Sequence, residues 1–233
     1  MFLLITAFAL PLLGLWANAR PIDDTVPGIT SIEDQFQSGD LVPELLASFN
    51  PSAVMNVTFP GVGPISAGQN LSVQQVSTAP GVTISPANSS FSTTGNFTLM
   101  MVDAFPFGMN DSTRQILHWL TNSATLQNDS SSLNVSTDGA LVVTDYFPPA
   151  PPVNSGVHRY VIMLFNQTPS YSPPANLSSP NVGIDLFFHL TNFISSTNLG
   201  QPIAGMFFEV SAATNASATG ATSSSATVSG SAS

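Results

Sequence analysis

Short apolar runs alternate with turn-forming residues through most of the chain. Seven such runs are separated by clusters of Gly, Pro, Asn and Ser, at 54–59, 71–76, 82–84, 97–102, 116–120, 140–143 and 160–165. Short runs bounded by these residues are typical of β-strands, and seven of them predict a β-sandwich or a β-barrel. Residues 40–49 and 184–195 have the pattern of short helices, so we expect a mainly β fold with few helices.

The first 19 residues have the pattern of a signal peptide. An apolar run is followed by the small residues Ala-Asn-Ala, as before a signal peptidase site. Pro11 interrupts the run, which is also short for a bilayer span. We therefore predict a secreted protein whose mature chain starts at Arg20 and has no transmembrane segment.

The rest of the chain divides into three parts. Residues 20–39 are polar and acidic and predict an N-terminal extension, whereas 40–210 carry the apolar runs and predict one folded domain that ends in a strand. Residues 211–233 consist almost entirely of Ser, Ala, Thr and Gly. A segment of this composition cannot bury apolar surface, so we expect a disordered tail.

The charge balance excludes several classes of partner. Thirteen Asp and Glu face three Arg and no Lys, which gives a formal net charge of −10. Binding to nucleic acid or to anionic membranes requires clustered Lys and Arg, so we predict neither. The chain also has no Cys, which excludes thiol catalysis and thiolate metal sites.

Ten Asn-x-Ser/Thr sequons predict N-glycosylation and support secretion. They lie at Asn56, Asn70, Asn88, Asn96, Asn110, Asn128, Asn134, Asn166, Asn176 and Asn215.

The candidate chemistry lies at the borders of three apolar runs. Asp103 follows the run 97–102, His118 lies within 116–120, and His158 precedes 160–165. Burying such groups is costly unless they satisfy each other or a ligand, so we predict that the three side chains meet in space. A proline-rich segment over 148–152 predicts a stiff wall beside them.

Other chemistries have some of their residue types but not their patterns. Ser, His and Asp are present without the G-x-S-x-G elbow of a hydrolase, and no second acid accompanies Asp103 as glycoside hydrolysis requires. Asp103 and two histidines could form an iron triad, but their spacing does not select for it. We therefore expect no enzyme, no metal and no cofactor.

The motifs around these residues resemble those of the phosphatidylethanolamine-binding protein family. The sequences MMVDAFP and HWLTN are similar to its first signature, and GVHRY after a proline-rich loop is similar to its second. The second Asp of the first signature is absent, with Ala104 and Phe105 in its place. The likeness covers about 40–210 and is strongest to secreted fungal members with Ser-rich tails.

This resemblance implies an antiparallel, Greek-key β-sandwich with a few flanking short helices and a pocket for phosphate or phospholipid head groups. The residues implied to line the pocket are Asp103, Pro106, His118, Tyr146, Ala150, Pro151, Pro152, His158 and Tyr160.

Three functions are open at this point. We expect a non-catalytic protein that binds a small anionic ligand, to which both imidazoles donate hydrogen bonds, so that affinity rises as pH falls through the ordinary histidine pKa of about 6.5. The alternative is a protein-interaction module, such as an inhibitor of a serine carboxypeptidase. A cell-wall role dominated by glycans and tail is the third.

Overall fold

The computed structural model of the protein describes residues 27–106, 114–129 and 132–214. Within these ranges the chain forms two α-helices, α1 (Pro27–Ser38) and α2 (Leu190–Thr197), one 3-10 turn (Ala175–Leu177) and eleven strands. The strands are β1 (Ala53–Phe59), β2 (Gly63–Pro64), β3 (Gln69–Leu71), β4 (Gly81–Pro86), β5 (Phe97–Pro106), β6 (Gln115–Asp129), β7 (Ser132–Ser136), β8 (Leu141–Thr144), β9 (Val157–Asn166), β10 (Asp185–Phe188) and β11 (Ala204–Ser211). The predicted β-rich architecture is confirmed.

The strands join in one curled sheet. Its main path runs β2-β1-β4-β7-β6-β5-β9-β11-β3, and β8 and β10 also pair with β6. The first half of β6 pairs with β5 and its second half pairs with β7, so this strand links the two halves of the sheet. All pairs are antiparallel except β11 with β3.

The core lies around the neighbouring strands β6, β5 and β9. In β5 every side chain from Phe97 to Asp103 is buried, and in β9 the same holds from His158 to Phe165. Phe59 of β1 and Phe208 of β11 meet edge to face with ring centroids 5.2 Å apart, which joins the two halves of the sheet through the interior. Buried and more exposed side chains alternate along β1, as expected of a strand with one face towards solvent.

The first helix lies earlier than predicted. Residues 40–49 form turns, whereas α1 lies inside the segment that was predicted to be an extension. Phe36 of α1 is fully buried, stacks on Phe49 at 4.0 Å and meets Phe207 edge to face at 5.5 Å. Because Phe36 packs on the sheet, α1 belongs to the core of the domain. The apolar residues of 40–49 are buried through successive turns instead of along a helix face.

Three other predicted elements differ in detail. The helix predicted over 184–195 is the strand β10 followed by α2, because residues 185–188 pair with β6. The strand predicted over 71–76 is limited to β3, and turns follow it. The predicted tail is ordered at its start, since β11 extends to Ser211 and the carbonyl of Ala213 accepts a hydrogen bond from the Asn154 N–H.

Candidate functional site

Asp103, His118 and His158 lie at one end of the central strands. Asp103 lies near the end of β5, where it is paired with Tyr160 of β9 on one side and with Ile116 of β6 on the other. The three polar residues are buried, with exposed fractions of 2%, 4% and 3%. Strand register alone therefore brings together residues that are 55 positions apart in sequence.

Asp103 and His158 form a buried pair. The Nδ1–H of His158 donates to Oδ2 of Asp103 at 2.7 Å, and the backbone N–H of Phe105 donates to Oδ1 at 2.8 Å. The nearby charge of Asp103 contributes to the raised pKa of Tyr160. Two donors, the His158 ring and the Phe105 backbone, thus compensate Asp103 for its loss of water.

The second nitrogen of His158 is also engaged. The Ser155 hydroxyl lies 2.8 Å from Nε2 and 2.6 Å from the Pro152 carbonyl oxygen, and its single hydrogen is donated to one of these two acceptors. A continuous chain of hydrogen bonds therefore connects Asp103 with the proline-rich segment. Sequence reasoning missed Ser155 because serine is abundant in this chain, and its position three residues before His158 was the only available signal.

His118 is bonded on one side only. Its Nδ1–H donates to the Phe147 carbonyl at 2.9 Å, and the Phe147 N–H donates back to the His118 carbonyl at 2.8 Å. No described residue is hydrogen-bonded to Nε2 of His118. This atom is not fully enclosed by the protein. Burial lowers the pKa of His118 below 6.5, although the Phe147 carbonyl and the charge of Asp103 act in the opposite direction.

The two tyrosines of the site have different surroundings. Tyr160 packs edge to face against His118 with ring centroids 5.2 Å apart, and burial together with the charge of Asp103 raises its pKa. The Tyr146 hydroxyl donates to the Val76 carbonyl at 2.8 Å, and burial raises its pKa too. Both phenols therefore remain protonated at physiological pH, and that of Tyr146 is committed to a protein acceptor.

The remaining predicted lining residues frame this network without supplying donors. Pro106 is buried and registered opposite His158, Pro151 is half-buried, and Pro152 is exposed. Ala150 is exposed in side chain and acts through its backbone N–H on Tyr160. Since proline has no N–H, this wall can shape a cavity but cannot hold an anion.

Arg159 is turned away from the site. Side chains alternate along a strand, so Arg159 lies on the face opposite His158 and Tyr160. Its guanidinium is buried and donates to the carbonyls of Phe105 at 3.1 Å, Ala104 at 3.1 Å and Gly39 at 2.7 Å, and to Glu44 at 3.0 Å. These hydrogen bonds hold the irregular end of β5 after Asp103 from the opposite face of the sheet.

Arg114 brings a positive charge to the same end of the sheet. Its guanidinium carbon lies 5.2 Å from the ring centroid of Phe187 and 6.0 Å from that of Phe105. The Phe105 ring is in turn 6.2 Å from the His158 ring. Sequence reasoning did not select Arg114, although the chain has only three arginines.

The described residues contain no group of three or more His, Cys, Asp or Glu that could hold a metal ion. No helix in this part of the chain is long and apolar enough to cross a membrane.

Eight predicted sequons lie within the described ranges. Asn134 is half-buried, and the other seven are exposed, namely Asn56, Asn70, Asn88, Asn96, Asn128, Asn166 and Asn176. Asn110 and Asn215 lie outside the described residues, as do the predicted signal peptide and most of the predicted tail. The exposed side chains are accessible to a modifying enzyme, and glycosylation stays a prediction.

The mainly β fold, with two helices in its described part, agrees with the fold that the sequence motifs imply. The family model described as "PBP: Phosphatidylethanolamine-binding protein" matches residues 50–208, more than half of the chain. The chain belongs to the phosphatidylethanolamine-binding protein family. The resemblance inferred from the two signatures is thereby confirmed.

Several members of the phosphatidylethanolamine-binding protein family are similar over most of the chain. The 26 kDa secreted antigen of Toxocara canis is 31% identical over 181 residues, which cover 74% of this chain and 62% of that protein, less than two thirds of its length. Protein TERMINAL FLOWER 1 of Arabidopsis thaliana is 30% identical, over 77% of this chain and 91% of that protein. A carboxypeptidase Y inhibitor solved in complex with its cognate proteinase has a TM-score of 0.64 at 20% identity, over 79% of this chain and 96% of the other. At this identity the structural likeness shows the fold.

Proposed function

We propose that the chain is a secreted binding protein that holds a phosphate or another small anionic group beside His118 and does not transform it. The proposal rests on the surroundings of His118. Its ring is buried, and Nδ1 is hydrogen-bonded to the Phe147 carbonyl, which leaves Nε2 for a ligand. Family membership supports a ligand-binding role. Arg114 supports an anion, because it places a positive charge at this end of a strongly acidic protein.

The proposal gives the buried residues separate roles. Asp103 and His158 bond to each other and form a frame on which the Tyr160 ring stacks, and Ser155 attaches the proline wall to it. His118 is the residue that contacts the ligand. The expectation that both imidazoles donate to the anion is revised, since both nitrogens of His158 are already engaged within the protein.

Titration of the full chain with inorganic phosphate and with phosphoethanolamine, followed by NMR, tests this proposal. We expect saturable shifts of the His118 resonances that disappear in His118→Gln. His189→Gln is the matched control, because His189 is an exposed histidine at the start of α2 that takes no part in the network. Absence of shifts at any pH from 5 to 7.5, or equal shifts in the His118→Gln variant, contradicts the proposal.

Inhibition of a serine carboxypeptidase is the second candidate. It is favoured by the shared fold with the carboxypeptidase Y inhibitor, which was solved bound to its proteinase. Val153 and Phe147 beside the proline wall are large apolar side chains with exposed fractions of 54% and 38%, and such residues suit a protein contact. A carboxypeptidase Y assay decides this point: inhibition that persists in His118→Gln supports a protein contact independent of the anion site.

An extracellular location is the third part of the proposal. It is supported by the Ala-Asn-Ala pattern before Arg20, the exposed sequons and the secreted antigen among the relatives. N-terminal sequencing of the protein from its natural source is expected to begin at Arg20, and enzymatic deglycosylation is expected to lower its mass. Association with the cell wall predicts release by wall-degrading enzymes, and free protein in the medium contradicts it.

A further inference from the structure

A group of apolar side chains around β10 lies on the surface of the domain. Phe187 is 65% exposed, the highest value among the large apolar side chains in the described part of the chain. Leu186 beside it and Val182 and Ile184 just before it are exposed as well. Exposed apolar residues that follow one another in this way mark a contact site.

Phe187 also lines a cavity of about 200 Å³ between β10, the 3-10 turn and α2. The apolar part of the lining comes from Phe187 and from the buried residues Leu177, Phe188 and Phe193. The rings of Phe188 and Phe193 contact each other with centroids 5.4 Å apart. The cavity therefore has a preformed aromatic wall.

The rim of this cavity is polar. Asn176, Asn192 and Ser196 contribute exposed amide and hydroxyl groups. Asp185 contributes a carboxylate, whose Oδ1 accepts the Phe187 N–H at 2.8 Å. An aromatic wall with such donors and acceptors around it suits a sugar ring, which has an apolar face of C–H groups and a periphery of hydroxyls.

The chain itself can supply this sugar. Asn176 is the first residue of a predicted sequon and lies on the wall of the same cavity as Phe187. Its amide nitrogen is the atom to which the first N-acetylglucosamine of an N-linked glycan is attached. Leu177, the next residue, is 3% exposed and anchors the 3-10 turn, so the attachment point is fixed beside the aromatic wall.

We propose that the N-linked glycan on Asn176 packs its first N-acetylglucosamine against Phe187 and fills this cavity, so that the exposed end of β10 is covered by the protein's own glycan. The inference rests on the proposed extracellular location and is independent of the anion site. Attachment at the cavity wall favours this sugar over a free one, because it gives the sugar an effective concentration on the order of millimolar.

Charge disfavours the other occupants of this surface. A second copy of the chain brings another formal net charge of −10, and an anionic membrane meets the same repulsion. The sugar is uncharged, so its contact with Phe187 requires no neutralisation.

Asn56 provides a matched sequon on a regular strand. Its side chain is exposed on β1, and its paired neighbour on β4 is Thr83, which offers no aromatic ring. Covering one face of the Phe187 ring, about 40 Å² of apolar surface, is expected to raise the folding equilibrium constant about fivefold. Urea denaturation of the full chain, secreted from a glycosylating host, should therefore show a loss of this size for Asn176→Gln and no comparable loss for Asn56→Gln. Equal losses in the two variants overturn the inference.

Phe187→Ala tests whether the ring is the contact. If the sugar packs on Phe187, Asn176→Gln should cost little in the Phe187→Ala background and should keep its full cost in the Leu186→Ala background. Leu186 is the matched control, because it is an exposed apolar residue of the same strand that is not part of the cavity lining. Additive losses in the Phe187→Ala background contradict the contact.

The contact can also be observed without a variant. An endoglycosidase that leaves one N-acetylglucosamine on each asparagine should leave the urea midpoint of the folded protein unchanged. NMR of the trimmed protein is expected to show nuclear Overhauser contacts between the sugar on Asn176 and the Phe187 ring, with upfield ring-current shifts of the sugar protons. Absence of these contacts overturns the inference even where Asn176→Gln is not secreted.

Peptide mass spectrometry separates this inference from the proposed function. Glycans at other sequons with none at Asn176 overturn the inference alone, whereas a protein from its natural source without any glycan contradicts the extracellular location too. Saturable binding of free chitobiose to the fully glycosylated chain at this cavity shows that a foreign sugar occupies it, which also overturns the inference. None of these results changes what is expected at His118.

Discussion

Replacing Arg159 by Met removes the buried guanidinium and keeps most of the apolar length of the side chain. Arg159 is 1% exposed and donates to the carbonyls of Gly39, Ala104 and Phe105. A buried acceptor that loses its donor costs about 1–3 kcal/mol, and breaking a buried ion pair costs about 3–5 kcal/mol. Because the freed carboxylate of Glu44 is 31% exposed and can be hydrated, we expect the free energy of unfolding to fall by about 3–5 kcal/mol in total.

Urea denaturation monitored by Trp119 fluorescence and by circular dichroism measures this loss. Glu44→Gln is the matched control, because it removes the charge of the exposed partner and leaves every carbonyl bonded. We expect a loss of about 1 kcal/mol or less in the control. Equal losses in the two variants, or a loss below about 1 kcal/mol for Arg159→Met, refute the view that carbonyl satisfaction is the main role of Arg159.

The same substitution connects stability with the site. Ala104 and Phe105, whose carbonyls Arg159 binds, lie in the part of β5 directly after Asp103 where the pairing with β9 shifts register. The Phe105 N–H donates to Asp103, so loosening this segment should weaken the Asp103–His158 pair as well. We expect shifts of the His158 ring resonances in Arg159→Met under native conditions. Unchanged resonances there would show that strand pairing alone holds the segment.

Two other perturbations test the core and the buried imidazole. If α1 belongs to the core, Phe36→Ala should lower the free energy of unfolding by about 3–5 kcal/mol. The control Asp34→Ala, on the exposed face of α1, should change it little. A small loss for Phe36→Ala in urea denaturation would contradict this assignment. The pKa of His118 is lower in the folded than in the unfolded chain, so the unfolded chain binds more protons below about pH 6.5. The free energy of unfolding should therefore fall as pH drops below 6.5. His118→Gln should flatten this pH dependence, and His189→Gln should preserve it. Equal slopes in the two variants would disprove the role of His118.

The central strands were predictable because burial on both faces produces continuous apolar runs. Residues 97–102, 116–120 and 160–165 all lie within β5, β6 and β9. Their ends were not predictable, since β6 continues to Asp129 through polar residues whose pairing with β7 satisfies the backbone. The short strand β7 is largely polar and has no apolar run of its own, so only its partners reveal it.

The helix α1 shows a signal that was present in the sequence. Ile29, Ile32 and Phe36 are spaced three and four apart, and all three are buried in the structure. The acidic and polar residues between them are typical of an extension, so the sequence did not predict this helix. The similar spacing in 40–49 does not produce a helix, because Asp40 adopts a left-handed conformation and the following chain turns.

The contact between Asp103 and His158 was predictable from the sequence, but the other hydrogen bonds around them were not. The cost of burying Asp103 and His158 was sufficient reason to pair them, and they do pair. Strand alternation places Arg159 on the face opposite its neighbour His158 in β9. Which ring nitrogens are engaged depends on Ser155 and Phe147, whose positions follow from loop geometry and not from periodicity.

The absent second Asp of the family signature leaves the Asp103–His158 pair intact. Phe105, at the register shift near the end of β5, has a left-handed conformation with φ of 60° and still donates its N–H to Asp103. This hydrogen bond uses a backbone atom, so it does not require the carboxylate that the signature has in this segment. The Phe105 ring instead lies 6.2 Å from the His158 ring and 6.0 Å from the Arg114 guanidinium carbon. The segment Ala104–Phe105 therefore brings apolar surface, and no second carboxylate, to the Asp103–His158 pair.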